Sequence, residues 1–339
     1  MAKIALNFED GITRFMDSLP NETVAETAYR VGINIPLDCA DGACGTCKCK
    51  MRSGSFDAGD YIEEALSDEE AEAGFALACQ ARPQSDLVVD ILASSIACKV
   101  KSSAIATEIT ALNRLSSEIY QLKLQASDNS SFEFLPGQYV NIEVPGTSQT
   151  RSYSYSSQPS NKEAEFLIKL VPGGLMSTYL KDQAAVGGTL NIVTPIGSFY
   201  LREVQRELIF IAGGTGIAPF MAMLEKLKAD KNTTPIHLFY GATTAQNVVE
   251  QERLKAFSEI MPLKIFTCTS DEQAEGHDKG FVTQWINKDI LGEKTYDIYI
   301  CGPNMMVEAV KNTLDKEAIN HVNFYMEKFV PTGQESVKV

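Results

Sequence analysis

Cys39, Cys44 and Cys47, followed after a further 31 residues by Cys79, read C-x4-C-x2-C and then a distant C. That ligand spacing suits a plant-type 2Fe-2S cluster, and the chemistry it supports is the handling of single electrons. The loop around them, Asp38-Cys-Ala-Asp-Gly-Ala-Cys-Gly-Thr-Cys, is rich in Gly and Ala. Such a backbone can wrap tightly and aim N–H groups at the sulfurs, which helps set a potential. A structural zinc site would ordinarily show two C-x-x-C knuckles, and only Cys44/Cys47 qualifies. Unrelated buried thiols are the other reading, against which stand three candidate ligands in one loop of small residues. Cys49, just beyond that loop, is expected to be a bystander.

Two further glycine-rich stretches could meet phosphate. Gly213-Gly-Thr-Gly-Ile-Ala-Pro219 follows the apolar run Leu208–Ala212 and precedes a helical stretch. Free backbone N–H groups and a helix N-terminus then lie at a strand's carboxyl end, where an anion binds well. Alone, that turn is neither G-x-G-x-x-G nor a P-loop, and it could be only a tight connection. Gly173-Gly174-Leu-Met-Ser177 offers the same N–H groups plus the Ser177 hydroxyl. His237, His277 and His321 are scattered without metal spacing and are expected to be surface or core residues. Met305 and Met306 are expected to face a core.

The elements that must position these residues fall into three parts. Residues 1–98 begin with alternating Ile4, Leu6 and Phe8, an Asp10-Gly11 turn and a second strand, then a helix over Val24–Arg30 introduced by Asn21. Ser67-Asp-Glu-Glu70 reads as a capping box opening a short helix that leads up to Cys79. Residues 92–103 are small and polar with no helical period, which predicts a linker. Residues 104–203 hold short β-rich runs, among them Ile119–Leu124, Tyr139–Val144 and Glu165–Val171, between Pro-Gly and Ser-rich turns, the signature of an antiparallel barrel. From Glu207 to the C-terminus, apolar strands (Leu208–Ala212, Ile236–Tyr240, Leu263–Cys268, Ile298–Cys301) alternate with helices (Phe220–Ala229, Val307–Lys316), which predicts an α/β domain over 207–339 with a parallel sheet.

Composition bounds the partners. Hydrophobic content of 44% over 339 residues, with mean hydropathy of −0.10, predicts a globular chain of two to three domains with no membrane span. The N-terminus reads as a first strand rather than a signal peptide, and eight cysteines without a disulfide-like framework point to a reducing cytoplasm. Residues 1–98 carry 7 Lys and Arg against 17 Asp and Glu, a net of −10 out of −14 for the chain. That acidity argues against nucleic acid and for docking to a basic surface, although any single carboxylate is more simply a solvated group.

Arg151-Ser-Tyr-Ser154, following Pro136-Gly-Gln-Tyr139, resembles the R-x-Y-[ST] motif of the ferredoxin-NADP reductase superfamily, and the resemblance runs from about residue 104 to the C-terminus. It implies FAD, with Arg151 on the pyrophosphate, Tyr153 against the isoalloxazine, Ser154 near N5, and Gly174 and Ser177 also on the pyrophosphate. Pro195-Ile-Gly197-Ser-Phe199 resembles the G-x-F turn ending the flavin domain, or is simply a tight turn with a buried Phe. Cys301-Gly302-Pro303 resembles the superfamily's C-G-P, which implies a Cys beside the nicotinamide and makes Gly213, Gly214, Thr215 and Gly216 nucleotide ligands. Tyr325-Met-Glu327-Lys-Phe329 resembles the segment that reaches back to the flavin; Glu327 would neighbour the reacting rings. Phe329 would take the place of a terminal ring-stacking aromatic, although the chain continues ten residues past it.

With a β-grasp ferredoxin domain in front, the whole arrangement resembles the reductase components of aromatic-ring-hydroxylating dioxygenases, the benzoate and toluate 1,2-dioxygenase reductases in particular. The resemblance implies that electrons pass from NADH through FAD and the 2Fe-2S cluster to a terminal Rieske oxygenase, bound by transient docking. A reductase serving a di-iron monooxygenase shares this domain order, and a redox sensor without turnover is the reading of another class. NADH is expected over NADPH, because no Arg or Lys follows the strand Ile236–Tyr240 before Arg253.

Overall fold

Ile4, Leu6 and Phe8 alternate with more exposed neighbours, and that period of two makes β1 (Lys3–Phe8), with one face in a core. The computed structural model describes residues 1–37, 39–43, 45–98, 104–127, 131–160, 162–271 and 275–328. The Asp10-Gly11 turn returns the chain into β2 (Thr13–Asp17), antiparallel to β1. Helix α1 (Val24–Arg30) is capped by Thr23 and Glu26 in a reciprocal box; Asn21 instead takes φ +66° in the turn before it. There follow β3 (Lys48–Ser53), β4 (Phe56–Asp57), α2 (Asp68–Glu72), β5 (Phe75–Leu77), β6 (Arg82–Pro83) and β7 (Leu87–Ile91). The main sheet has the order β2-β1-β7-β3-β5, with β1 and β7 parallel. Helix α2 opens in the Ser67/Glu70 capping box that the sequence predicts.

The predicted linker is partly structured. Glu9 N–H donates to the Ala93 carbonyl, both the N–H and Oγ of Ser95 donate to Asp10, and Asn34 N–H donates to the Cys98 carbonyl. Ala93, Ser95 and Cys98 are buried. Small polar residues read as a linker because their partners are distant in sequence; residues 99–103 of the predicted linker lie outside the described residues.

The barrel comprises β8 (Ala104–Arg114), β9 (Ile119–Ala126), β10 (Tyr139–Glu143), β11 (Thr150–Ser154), β12 (Glu163–Lys169), helix α3 (Leu175–Asp182) and β13 (Thr189–Ile196). Its strand order is β11-β10-β13-β8-β9-β12. The two end strands meet just beyond β11, where Tyr155 bridges Phe166 and Ser156 N–H donates to the Glu165 carbonyl at 2.8 Å. The sheet thereby closes without a free edge. Inside, Phe134 stacks on Tyr155 with ring centroids 3.5 Å apart.

The last part runs β14 (Glu207–Gly213), α4 (Ala218–Ala229), β15 (Ile236–Ala242), α5 (Gln251–Ile260), β16 (Leu263–Thr269), β17 (Asp278–Lys279), α6 (Lys288–Leu291), β18 (Thr295–Gly302), α7 (Asn304–Lys316) and β19 (Asn320–Lys328). All six strands are parallel, in the order β17-β16-β15-β14-β18-β19. The continuous apolar runs of β14, β15 and β18 follow from burial on both faces. The chain divides into two compact units, 1–103 with 194–198 and 104–193 with 199–339, so barrel and parallel sheet form one unit.

Within that second unit, Gly137 lets the barrel's Pro136-Gly-Gln138 turn approach the sheet domain. It sits at φ +115°, and a Cβ there would lie 2.5 Å from Met223 Cε and 2.6 Å from the Phe199 carbonyl oxygen. Gly137→Ala is therefore expected to cost about 1–3 kcal/mol, read as a lower urea midpoint of the full chain. Gly146→Ala, also at positive φ but in open space, is expected to cost less; equal midpoints for the two variants would show that the close approach carries no weight.

Candidate functional site

The cluster loop is held from three directions. Ala40, Gly42 and Gly45 take φ +61°, +85° and +73°, and for Ala40 that left-handed backbone costs roughly 1–2 kcal/mol. A Cβ on Gly42 would lie 2.5 Å from the Asp60 carbonyl oxygen, and one on Gly45 2.8 Å from that of Ala65, so the 60–65 segment closes over the loop. On the other side, α1 uses its first two N–H groups, those of Val24 and Ala25, to bind the carbonyls of Ala81 and Ala78 (both 2.9 Å), which flank Cys79. Ala78 N–H in turn donates to the Cys47 carbonyl at 3.0 Å. A helix whose orphan donors grip the strand end thus places the distant cysteine beside the loop.

The thiols converge. Contacts with the sulfurs of Cys39 and Cys47 push the Cys79 thiol well up, and the Cys79 contact holds Cys47 down. Gly42 N–H points at the Cys79 sulfur, and Gln80 Nε2 approaches it at 3.8 Å while donating to the Ala40 carbonyl. Cys44 and Asp38 lie outside the described residues. Cys39 and Cys47 in contact with Cys79, and N–H groups directed at the Cys79 sulfur, fit part of a 2Fe-2S ligand set, which the sequence reading completes with Cys44. Cys49 is apart from the loop: on β3 it is 1% exposed, its Sγ donates to the Ala76 carbonyl at 3.5 Å, and burial pushes its thiol up.

In the second unit, the chain leaves β14 toward β15 on one side and comes back to β18 on the other, which makes the carboxyl ends of β14 and β18 a topological switch point. Backbone packs on backbone there: a Cβ on Gly216 would lie 2.3 Å from the Cys301 carbonyl oxygen, and one on Gly302 3.2 Å from Gly213 Cα. Gly213, Gly214 and Thr215 stay half-exposed above this floor, and Pro303 is exposed. Helices α3, α4 and α7 begin at Gly174, Ile217 and Pro303 with no side-chain cap, as does α5, whereas Thr23, Ser67 and Asn287 cap α1, α2 and α6. The uncapped N–H groups of α3 and α4 are where the sequence reading places phosphate.

Cys301 and Glu327 are register partners on β18 and β19, and Ser154 closes β11 of the barrel. Ser154 Oγ donates to Glu327 Oε2 at 3.0 Å, and Cys301 Sγ donates to the same oxygen at 3.7 Å. Burial, then the nearby carboxylate, pushes the Cys301 thiol well above its ordinary range, so it stays neutral. One carboxylate oxygen therefore joins the three residues that the sequence reading takes as catalytic. Arg151 and Tyr153 share the other face of β11. Arg151 donates to the Thr150 carbonyl and to Gln149, and has no carboxylate partner among the described residues. Tyr153 packs partly against the barrel core. Ser177 is buried and its Oγ accepts from Val171 N–H at 2.8 Å, so it braces the turn before α3 as well. Phe329 lies outside the described residues.

Met306 does pack inward, over Gly213 and Gly302, but Met305 is 86% exposed. Adjacent helical residues diverge by about 100°, so the pair could not share one face. His237 and His277 are buried and His321 is exposed, in separate places. The sequence reading missed the contacts of Gln80 and Gly42 with Cys79; a Gln following a ligand carries no signal until the loop is folded.

Residues 7–84 match the 2Fe-2S iron-sulfur cluster binding domain, 106–200 the oxidoreductase FAD-binding domain and 210–312 the oxidoreductase NAD-binding domain. These three domains on one chain define an iron–sulfur flavoprotein, an oxidoreductase of the ferredoxin reductase type. The chain is 46% identical, over 98% of its length and 99% of the relative's, to a toluate 1,2-dioxygenase electron transfer component from Pseudomonas putida. It is 45% identical, over 97% and 98%, to a 2-halobenzoate 1,2-dioxygenase electron transfer component from Burkholderia cepacia. Among solved structures, the Amycolatopsis cytochrome P450 reductase GcoB is similar, with 28% identity, a TM-score of 0.74 and coverage of 97% and 99%. The chain belongs to the family of electron transfer components of aromatic-ring-hydroxylating dioxygenases, which deliver electrons to an oxygenase component. Its cofactors are a 2Fe-2S cluster, FAD and NADH.

Replacing Cys39, Cys44, Cys47 or Cys79 by Ser is expected to abolish the 2Fe-2S absorption and electron delivery while leaving reduction of bound FAD by NADH nearly intact. Cys49→Ser should keep the cluster, and a bleached Cys49→Ser protein would show that the ligand set is wrong.

Proposed function

We propose that this protein is the reductase of a benzoate-type 1,2-dioxygenase, carrying electrons from NADH to a Rieske oxygenase, with Ser154, Cys301 and Glu327 forming the centre at which the nicotinamide meets the flavin. The convergence of Ser154 and Cys301 on one oxygen of Glu327, at a topological switch point, carries the reading. When bound, the cofactors supply a hydride donor, a flavin able to pass electrons on singly, and a one-electron cluster. The chain's residues bind and orient them. Arg151 and the N-terminus of α3 hold the FAD pyrophosphate, and Gly213–Gly216 with the N-terminus of α4 hold that of NADH. Gly302 leaves room for a ring to approach, and the neutral Cys301 thiol offers an uncharged contact beside it. Glu327 fixes the Ser154 hydroxyl and the thiol by accepting from both.

A plant-type cluster near about −400 mV lies below a Rieske centre at roughly −150 mV or higher, so delivery to that partner is downhill. The 46% identity to a toluate dioxygenase component, against 28% to a P450 reductase of the same fold, favours the aromatic-acid oxygenase. No helix among the described residues is long and apolar enough to cross a membrane. No disulfide joins cysteines among the described residues, which supports a reducing cytoplasm. Reconstitution with purified oxygenases tests the reading: NADH-dependent dihydroxylation of benzoate is expected, and support of a di-iron monooxygenase in its place would overturn it.

Docking should be electrostatic and transient. Turnover with the oxygenase is expected to slow as salt rises, since screening shortens the reach of the acidic 1–98 region to about 8 Å at physiological ionic strength. Flavin reduction by NADH should respond less, and equal salt slopes for the two steps would sink the docking idea.

NADH should be preferred over NADPH. The loop after β15 holds Thr243 and Thr244, with Asp271 N–H bound to the Thr243 carbonyl. Arg253, the first cation beyond the strand, is committed to Glu250 at 2.9 Å, Glu225 at 3.3 Å, Glu165 at 3.5 Å and the Ser156 carbonyl. A 2′-phosphate would find hydroxyls and a carboxylate rather than a guanidinium fork. Comparison of kcat/KM for the two coenzymes checks this, with a ratio near one counting against it. Thr243→Arg is expected to narrow the gap by improving NADPH.

A further inference from the structure

We propose that Arg202 and Arg206, in the connector between the barrel and β14, are positioning residues that set the register of β19 and so hold Glu327 against Ser154 and Cys301. The inference rests on the role of Glu327 given above. β19 is an edge strand, and its ladder with β18 is interrupted: Tyr296 pairs with His321, but Asp297 pairs with Asn323, so Val322 is an extra residue in the strand. Beyond such a bulge, the turn leading into the strand no longer dictates the pairing. A slip of one residue would turn Glu327 to the opposite face.

Three rungs on one face follow the bulge, Asp297/Asn323, Tyr299/Tyr325 and Cys301/Glu327. Arg206 closes the first. Its Nη1 donates to both oxygens of the buried Asp297, at 2.7 and 2.8 Å, and Asn323 Nδ2 donates to Asp297 Oδ1 at 2.8 Å. Arg202 closes the second. Its guanidinium carbon lies 3.6 Å from the centroid of the Tyr200 ring and 4.4 Å from that of Tyr325, a planar cation between two rings. Its own N–H donates to Tyr299 Oη at 3.1 Å, and the Tyr299 and Tyr325 centroids are 4.7 Å apart. The third rung is the reactive pair. One connector therefore clasps the two rungs behind it, and strand geometry passes the register on.

The test is anaerobic stopped-flow reduction of FAD by saturating NADH in the full-length holoprotein. Arg202→Met is expected to slow reduction about tenfold, since a misplacement near 1 Å is felt at a reacting centre. The Kd for NADH should stay within about twofold. The deciding comparison is with Glu327→Gln: if Arg202 acts through Glu327, Arg202→Met adds no further slowing in that background. Multiplying effects would overturn the proposal, leaving Arg202 a general structural residue. Tyr325→Phe keeps the stacked ring and should reduce at the parental rate, while Tyr325→Leu should match Arg202→Met. That pair carries the test should Arg202→Met fail to retain FAD, and a parental rate for Tyr325→Leu would equally overturn it. A Glu327→Gln protein reduced at the parental rate would instead refute the role of Glu327 itself.

Discussion

Glu327 Oε2 accepts from a hydroxyl on a barrel strand and from a thiol on a parallel strand, and this one shared oxygen requires three strands from two sheets to end at a common point. Much of the second unit serves that requirement. The switch point supplies the place, because the connections leaving β14 and β18 run to opposite sides of the paired strands there. Glycine supplies the closeness: at 213, 216 and 302 the backbones approach so nearly that a Cβ would meet a neighbour's carbonyl, Cα or methionine side chain.

Barrel and sheet are also joined by polar contacts away from the centre. Asn247 on the loop after β15 donates to Glu118 at 3.0 Å and accepts from Ser116 at 2.9 Å, both between β8 and β9. Arg253 reaches carboxylates on β12, on α4 and on its own first turn. Ion pairs this sheltered add little net stability over apolar packing, but once one partner is present the others are required. The loop after β15 and α5 are consequently anchored to the barrel, and Arg253, the first cation in sequence beyond that strand, is spent on that anchoring.

The cluster module solves a different problem, that of joining a loop at 39–47 to a cysteine at 79. Its answer is backbone hydrogen bonding. α1 grips the carbonyls on both sides of Cys79, and β3 enters directly from the loop and pairs with β5 just before that cysteine. Cys49, on β3, is a buried thiol bonded to a carbonyl, which separates it from the expected ligands by environment rather than by sequence distance.

By itself the sequence determined the chemistry and the order of the domains. Cysteine spacing, a capping box at Ser67/Glu70 and apolar runs of the right period are local signals, and local geometry decides them. R-x-Y-S and C-G-P were legible only through their resemblance to the motifs of a known superfamily. Only the tertiary structure decided what those motifs meet. Ser154 and Glu327 are 173 residues apart, and no periodicity pairs them. The bulge at Val322, the two arginines that clasp the rungs beyond it, the capture of residues 93–98 by Asp10 and Asn34, and the commitment of Arg253 all depend on partners distant in the chain. Side chains of one type read alike in a sequence, and burial with a specific partner is what separates a thiol beside a carboxylate from one that only fills a core.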